Sequence, residues 1–68
     1  MNYKPMFLFQ GGEEQGNAQV FATESEALHS AAARFNVWTM PIDYFAAETS
    51  DNVNYVWNEN AGDIRLID

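Results

Sequence analysis

Apolar and polar positions follow two different periods along this chain, and the switches between them mark its elements. Residues 6–9 (Met, Phe, Leu, Phe) are a short continuous apolar run, the signature of a buried strand, with Pro5 tolerable at its start. Residues 11–17 are glycine-rich and acidic and read as a loop. Residues 18–22 return to strand composition, so the first two strands are expected to pair as a hairpin.

The period then changes to that of a helix. Thr23-Glu24-Ser25-Glu26 fits a capping box, in which Thr23 caps the helix and Glu26 reaches back to the Thr23 backbone N–H. Two glutamates in the first turn also suit the positive end of the helix dipole. Ala27, Leu28, Ala31 and Phe35 fall on one apolar face. Glu26, Ser30 and Arg34 lie on another, which is expected to face solvent. Asn36 is expected to close the helix in a left-handed conformation, with Val37 folded back onto the last turn. The spacing predicts a helix over residues 24–36.

Residues 38–41 form a connector, because the residue before Pro41 is biased away from helix. Strand composition resumes at 42–49, 53–57 and 63–67, separated by turn clusters at 50–52 and 58–62. The order is β-β-α-β-β-β in a single domain, residues 1–68. It predicts an α+β fold: an antiparallel sheet of about five strands with one helix packed on one face. Short connections favour antiparallel pairing among the three C-terminal strands. Apolar residues occupy both registers of these strands. Val53, Tyr55 and Trp57 oppose Val56; Ile64 and Leu66 oppose Ile67; Phe7 and Phe9 oppose Met6 and Leu8. Apolar surface is therefore expected on the side the helix leaves bare.

Composition narrows the function classes. The 68 residues are 47% hydrophobic and 15% aromatic, too apolar for a disordered tail. The net charge of −7 leaves Lys4, Arg34 and Arg65 as the only Lys or Arg residues, too few and too scattered to neutralise a phosphate track, so no direct nucleic-acid binding is expected. Without cysteine there is no disulfide scaffold, thiolate metal site or Cys nucleophile. The apolar runs are too short for a signal peptide or a membrane span, so the expectation is a cytoplasmic protein with no membrane attachment.

Candidate chemistry is sparse. His29 is the only histidine, and one helical turn away on either side stand Ser25 and Ala33, which make no metal site with it. Gly11, Gly12 and Gly16 lack the lysine and the following helix of a phosphate loop. The oxygen-rich stretches 51–54 and 58–63 do not have calcium-loop spacing. A carboxylate pair of the glycosidase kind would need a pocket that so short a chain has little room to build. The expectation is a non-enzymatic protein with no cofactor and no metal.

The acidity remains. Carboxylates spread over loops and strand ends keep a small aromatic-rich domain soluble. They can also imitate a phosphate backbone and steer the protein onto a basic nucleic-acid-binding surface of a protein partner. On the second reading Glu13, Glu14, Asp51, Glu59 and Asp63 supply charge, while Tyr44, Phe45, Tyr55, Val56 and Trp57 anchor the interface. An alternative is a small assembly protein that dimerises or docks through an apolar sheet face, so monomer and homodimer both stay open.

Residues 19–28 (Gln-Val-Phe-Ala-Thr-Glu-Ser-Glu-Ala-Leu), a strand running into a capped helix and followed by a C-terminal sheet, resemble very small phage-encoded inhibitors of host machinery. These include small anti-CRISPR proteins and the small phage inhibitor of bacterial RNA polymerase. The resemblance implies a non-catalytic inhibitor that occupies a surface on a larger host complex, in the host cytoplasm.

Overall fold

The computed structural model describes residues 1–66; the expected continuation of the last strand to Ile67, and the terminal Asp68 carboxylate, lie outside them. The elements are β1 (Asn2–Leu8), β2 (Glu14–Gly16), α1 (Glu24–Phe35), β3 (Asp43–Thr49), β4 (Tyr55–Asn58) and β5 (Gly62–Arg65). The class is α+β with five antiparallel strands, but they form two sheets instead of one: β2-β1-β3 and β4-β5. The expected antiparallel pairing of the three C-terminal strands holds for β4 and β5 but is corrected for β3, which returns to β1 from Asn2↔Thr49 to Leu8↔Asp43. Among the described residues β4 pairs with β5 alone.

The second strand lies earlier than its composition suggested. Glu14–Gly16 pairs with β1, whereas residues 18–22 touch it only through a bridge at Phe21. Between the pairs Met6↔Gly16 and Tyr3↔Phe21 this arm uses two residues more than β1 does. The surplus breaks the ladder beside Pro5. Tyr3 exchanges both backbone bonds with Phe21, at 2.9 and 2.7 Å, so the odd-numbered residues of β1 turn their backbone toward this arm. Pro5 has no N–H to offer there, and the slipped register asks for none. Residues 18–22 read as strand because Val20 and Phe21 are buried, not because they sit in a ladder.

The helix begins as expected and ends differently. Thr23 caps it, its hydroxyl accepting from the Glu26 N–H at 3.2 Å. Glu26 does not reach back to the Thr23 backbone. Its Oε1 accepts the Thr23 hydroxyl proton at 3.0 Å, and its Oε2 accepts the Trp57 backbone N–H at 3.0 Å. The cap thus also ties the helix to β4. Thr23→Ala is expected to cost about 1 kcal/mol and to lower the melting temperature by about 4–8 °C in a thermal denaturation followed by circular dichroism. Asn36 closes the helix in a right-handed conformation, φ −66°, and Val37 is 85% exposed instead of folding back.

α1 lies against β1, β3 and β4. Ala27 and Ala31 are buried as the apolar spacing predicts, but Leu28 is partly exposed. The face formed by Glu26, Ser30 and Arg34 is not solvated as a whole. Ser30 is fully buried, and Arg34 Nη2 donates to Gln19 Oε1 at 3.0 Å and to Asp63 Oδ2 at 3.3 Å. Gln19 itself donates to Asp63 Oδ2 at 2.7 Å. A polar network therefore joins the helix, residues 17–20 and β5. Asn54 completes the joint: its Oδ1 accepts from Val20 N–H at 2.7 Å, and its Nδ2 donates to Ala18 C=O at 2.8 Å. One side chain here does the work of a missing ladder rung.

The β4-β5 turn is closed by Asn58, whose Oδ1 accepts from the backbone of Asn60 and Ala61 at 2.8 and 3.0 Å. Gly62 follows at φ 78°, a conformation that side chains resist.

Candidate interaction site

Antiparallel partners share a face, so the register sorts the side chains. Phe7 and Tyr44 are opposite one another, and Tyr44 meets the helix through Phe35, ring centroids 5.1 Å apart. Met6 and Phe45, the next pair, point to the other side, together with Lys4, Leu8 and Ala47. Tyr44 and Phe45 are thus separated by the sheet and cannot anchor one interface.

The proposed carboxylates do not converge either. Glu13 and Glu14 are exposed at the Leu8 end of β1. Asp51 is exposed beyond Thr49, which pairs with Asn2 at the opposite end, about 20 Å away along a strand of this length. Glu59 stands on the turn of the second sheet. Asp63 is turned inward, its Oδ2 accepting from Gln19 and Arg34. Tyr55 packs on the buried Phe21 with centroids 6.1 Å apart, and Trp57 stacks on His29 at 5.9 Å. Both are half-buried inside the fold. Val56 pairs with Ile64 on the opposite side of that hairpin.

One end of the three-stranded sheet carries both charge and apolar surface, divided between its two faces. In register, Glu14 and Asp43 flank Leu8 from the two neighbouring strands. Phe9 N–H donates to Glu13 C=O at 2.7 Å, and Ile42 N–H donates to Leu8 C=O at 2.8 Å. Trp38 lies edge-on against Phe7 and Phe9, at 5.2 and 5.3 Å. The connector thereby brings Trp38 and Ile42 to the same end of the sheet as Glu13, Glu14 and Asp43. Met40 and Ile42 are 68% and 59% exposed, far more than a residue recruited to the core. Sequence reasoning treated residues 38–41 as a mere link. The available signal was an aperiodic run of large apolar residues around Pro41, too irregular to bury itself in a strand or a helix.

A groove of about 330 Å³ is lined by Glu24, Ser25, Leu28, His29, Ala32 and Tyr44. It holds a hydroxyl and an imidazole, but the pair is not arranged for nucleophilic catalysis. His29 Nδ1 lies 2.8 Å from the Ser25 carbonyl, which can only accept, so Nδ1 carries the proton. It then has no lone pair to take one from Ser25 Oγ, 3.4 Å away. Among the described residues no group of three or more His, Cys, Asp or Glu side chains comes together to hold a metal ion, and no helix is long and apolar enough to cross a membrane.

No family model matches the chain, and comparison with curated proteins and with solved structures finds no match.

Proposed function

We propose that this chain is a non-enzymatic binding protein that competes with nucleic acid for a basic surface on a protein partner. The observation that carries this reading lies at one end of the three-stranded sheet. Glu14 and Asp43 stand there on the Leu8 face and Trp38 on the Phe7 face, with Glu13 and the exposed Met40 and Ile42 in the segments that join there. Carboxylates steer the approach to a cationic groove, and a desolvated aromatic and aliphatic anchor slows departure. Exposed Glu24, Glu48, Asp51 and Glu59 extend the negative field around the molecule, while Arg34 is neutralised by Asp63. The target is a host complex that handles nucleic acid, in keeping with the resemblance to small phage-encoded inhibitors, and the site of action is the cytoplasm.

The test is capture of partners from a bacterial lysate by the immobilised chain, washed with rising salt and challenged with duplex DNA or RNA. The captured protein is expected to leave with salt and with either nucleic acid. Reversing Glu13, Glu14 and Asp43 to lysine is expected to abolish capture. Capture that survives both the reversal and the competitor sinks the proposal.

A second reading takes the sheet face of Met6, Leu8, Phe45 and Ala47 as the working surface. The helix meets the opposite face, that of Phe7 and Tyr44, through Phe35, and the Met6, Leu8, Phe45 and Ala47 side chains stay half-buried. This reading favours a small assembly protein that dimerises or docks.

A further inference from the structure

β3 has one partnered edge and one bare edge. Among the described residues it pairs with β1 alone. Since odd-numbered residues of β1 turn their backbone toward β2, the pairs Tyr3↔Glu48, Pro5↔Ala46 and Phe7↔Tyr44 are the non-hydrogen-bonded ones. Tyr44, Ala46 and Glu48 therefore direct their backbone N–H and C=O groups outward. The Tyr44 N–H is taken by Asp43 Oδ1 at 2.8 Å; the Ala46 and Glu48 donors are left for an added strand. Of the devices that blunt such an edge, the seven residues of β3 include neither proline nor lysine; its charges are Asp43 at one end and Glu48 next to the other.

We infer that this edge pairs with the same edge of a second copy, antiparallel and centred on Ala46, so that two three-stranded sheets join into one of six. The sequence of β3 suits that symmetry. Ala46 meets its own copy, Phe45 meets Ala47, Tyr44 meets Glu48 and Asp43 meets Thr49, so no carboxylate directly opposes another. Outward-directed residues pair with outward-directed residues, as the hydrogen bonding requires. The joint also extends the Met6, Phe45 and Ala47 surface across the two-fold axis. The opposing term is the charge of −7 on each copy. At about 0.01 M the Debye length, about 30 Å, is comparable with the extents of the molecule, 37 × 27 × 18 Å, so the whole charge of each copy acts on the other. At physiological salt it is about 8 Å, and only charges near the seam still repel. The dimer is therefore strengthened by salt, the opposite of the dependence expected for binding a cationic partner, so the two ideas fail independently.

Molecular mass in solution by light scattering, at about 0.01 M and about 0.15 M salt, is the first measurement. The mass is expected to rise toward twice that of the chain as salt increases. Glu48→Gln, which removes charge and keeps the N–H, is expected to tighten the dimer. Glu48→Pro removes the same charge and the outward N–H, and is expected to leave a monomer with an unchanged fold by circular dichroism. Ala46→Cys places two thiols on the axis with Cα atoms about 5.5 Å apart, within disulfide range. Under mild oxidation it is expected to cross-link at least about tenfold faster than Asn60→Cys on the exposed β4-β5 turn, because the dimer holds its thiols at high effective concentration. A chain that stays monomeric at high salt and high concentration overturns the inference. So does a dimer in which Ala46→Cys cross-links no faster than Asn60→Cys.

Discussion

Phe21→Ala is expected to unfold the chain at room temperature. Phe21 is the largest side chain with no solvent exposure, and it closes the space between β1, residues 18–20 and Tyr55. Truncating a buried phenylalanine costs about 3–5 kcal/mol, through lost transfer energy and the cavity left behind. A core in a chain this short, without disulfides, supplies about 3–5 kcal/mol in total, so one substitution removes most or all of it. Phe21→Leu retains most of the volume and is expected to cost about 1–2 kcal/mol, leaving a folded but less stable protein. Urea titration followed by circular dichroism, with amide shift dispersion by NMR, separates the two variants. A Phe21→Ala protein with the parent's midpoint would show that the core is centred elsewhere.

Asn54→Ala is expected to have the next largest effect, and it works through hydrogen bonds instead of volume. The substitution strands the buried Val20 N–H, whereas the Ala18 carbonyl, on an exposed residue, passes to water. Leaving that N–H unpaired costs about 2 kcal/mol, or a fall of about 10 °C in melting temperature for a chain of this length. Asn54→Asp keeps the acceptor for Val20 and turns a second oxygen against the Ala18 carbonyl, so an intermediate loss is expected. In a Trp38→Phe background the emission of Trp57 reports the β4-β5 hairpin alone. It is expected to shift to the red in Asn54→Ala at urea concentrations where the parent shows no change. Superimposable unfolding curves for parent and Asn54→Ala would mean that the hairpin is held by other contacts.

What the sequence made legible was local. Thr23 and Glu26 announce the helix start because a cap is settled within four residues, and Asp43–Thr49 and Tyr55–Asn58 show strand composition over most of their length. What it concealed was docking through polar groups. Hydropathy assigns Glu26, Ser30 and Arg34 to solvent, yet their partners, Trp57 N–H, Gln19 and Asp63, arrive from distant parts of the chain. No periodicity within one element contains that information. The same limit applies to the candidate site. Glu13 and Glu14 are exposed as expected, but Asp63 was counted as free charge because its arginine lies far away in sequence. Conversely, Asp43, Trp38, Met40 and Ile42 gain their meaning only once β3 returns to β1, setting Asp43 beside Leu8 and the Ile42 N–H on the Leu8 carbonyl.

The return of β3 to β1 has a consequence for the newborn chain. Synthesis runs from the N-terminus at about 5–20 residues per second, so β1 leaves the ribosome seconds before the strand that covers its second edge. Pairing across so much intervening chain is also slow to form. During that interval Met6, Phe7, Leu8 and Phe9 are an apolar segment without their permanent neighbour. The next charges to emerge are Glu13 and Glu14, which stand where gatekeeper charges stand beside an unavoidable apolar strand.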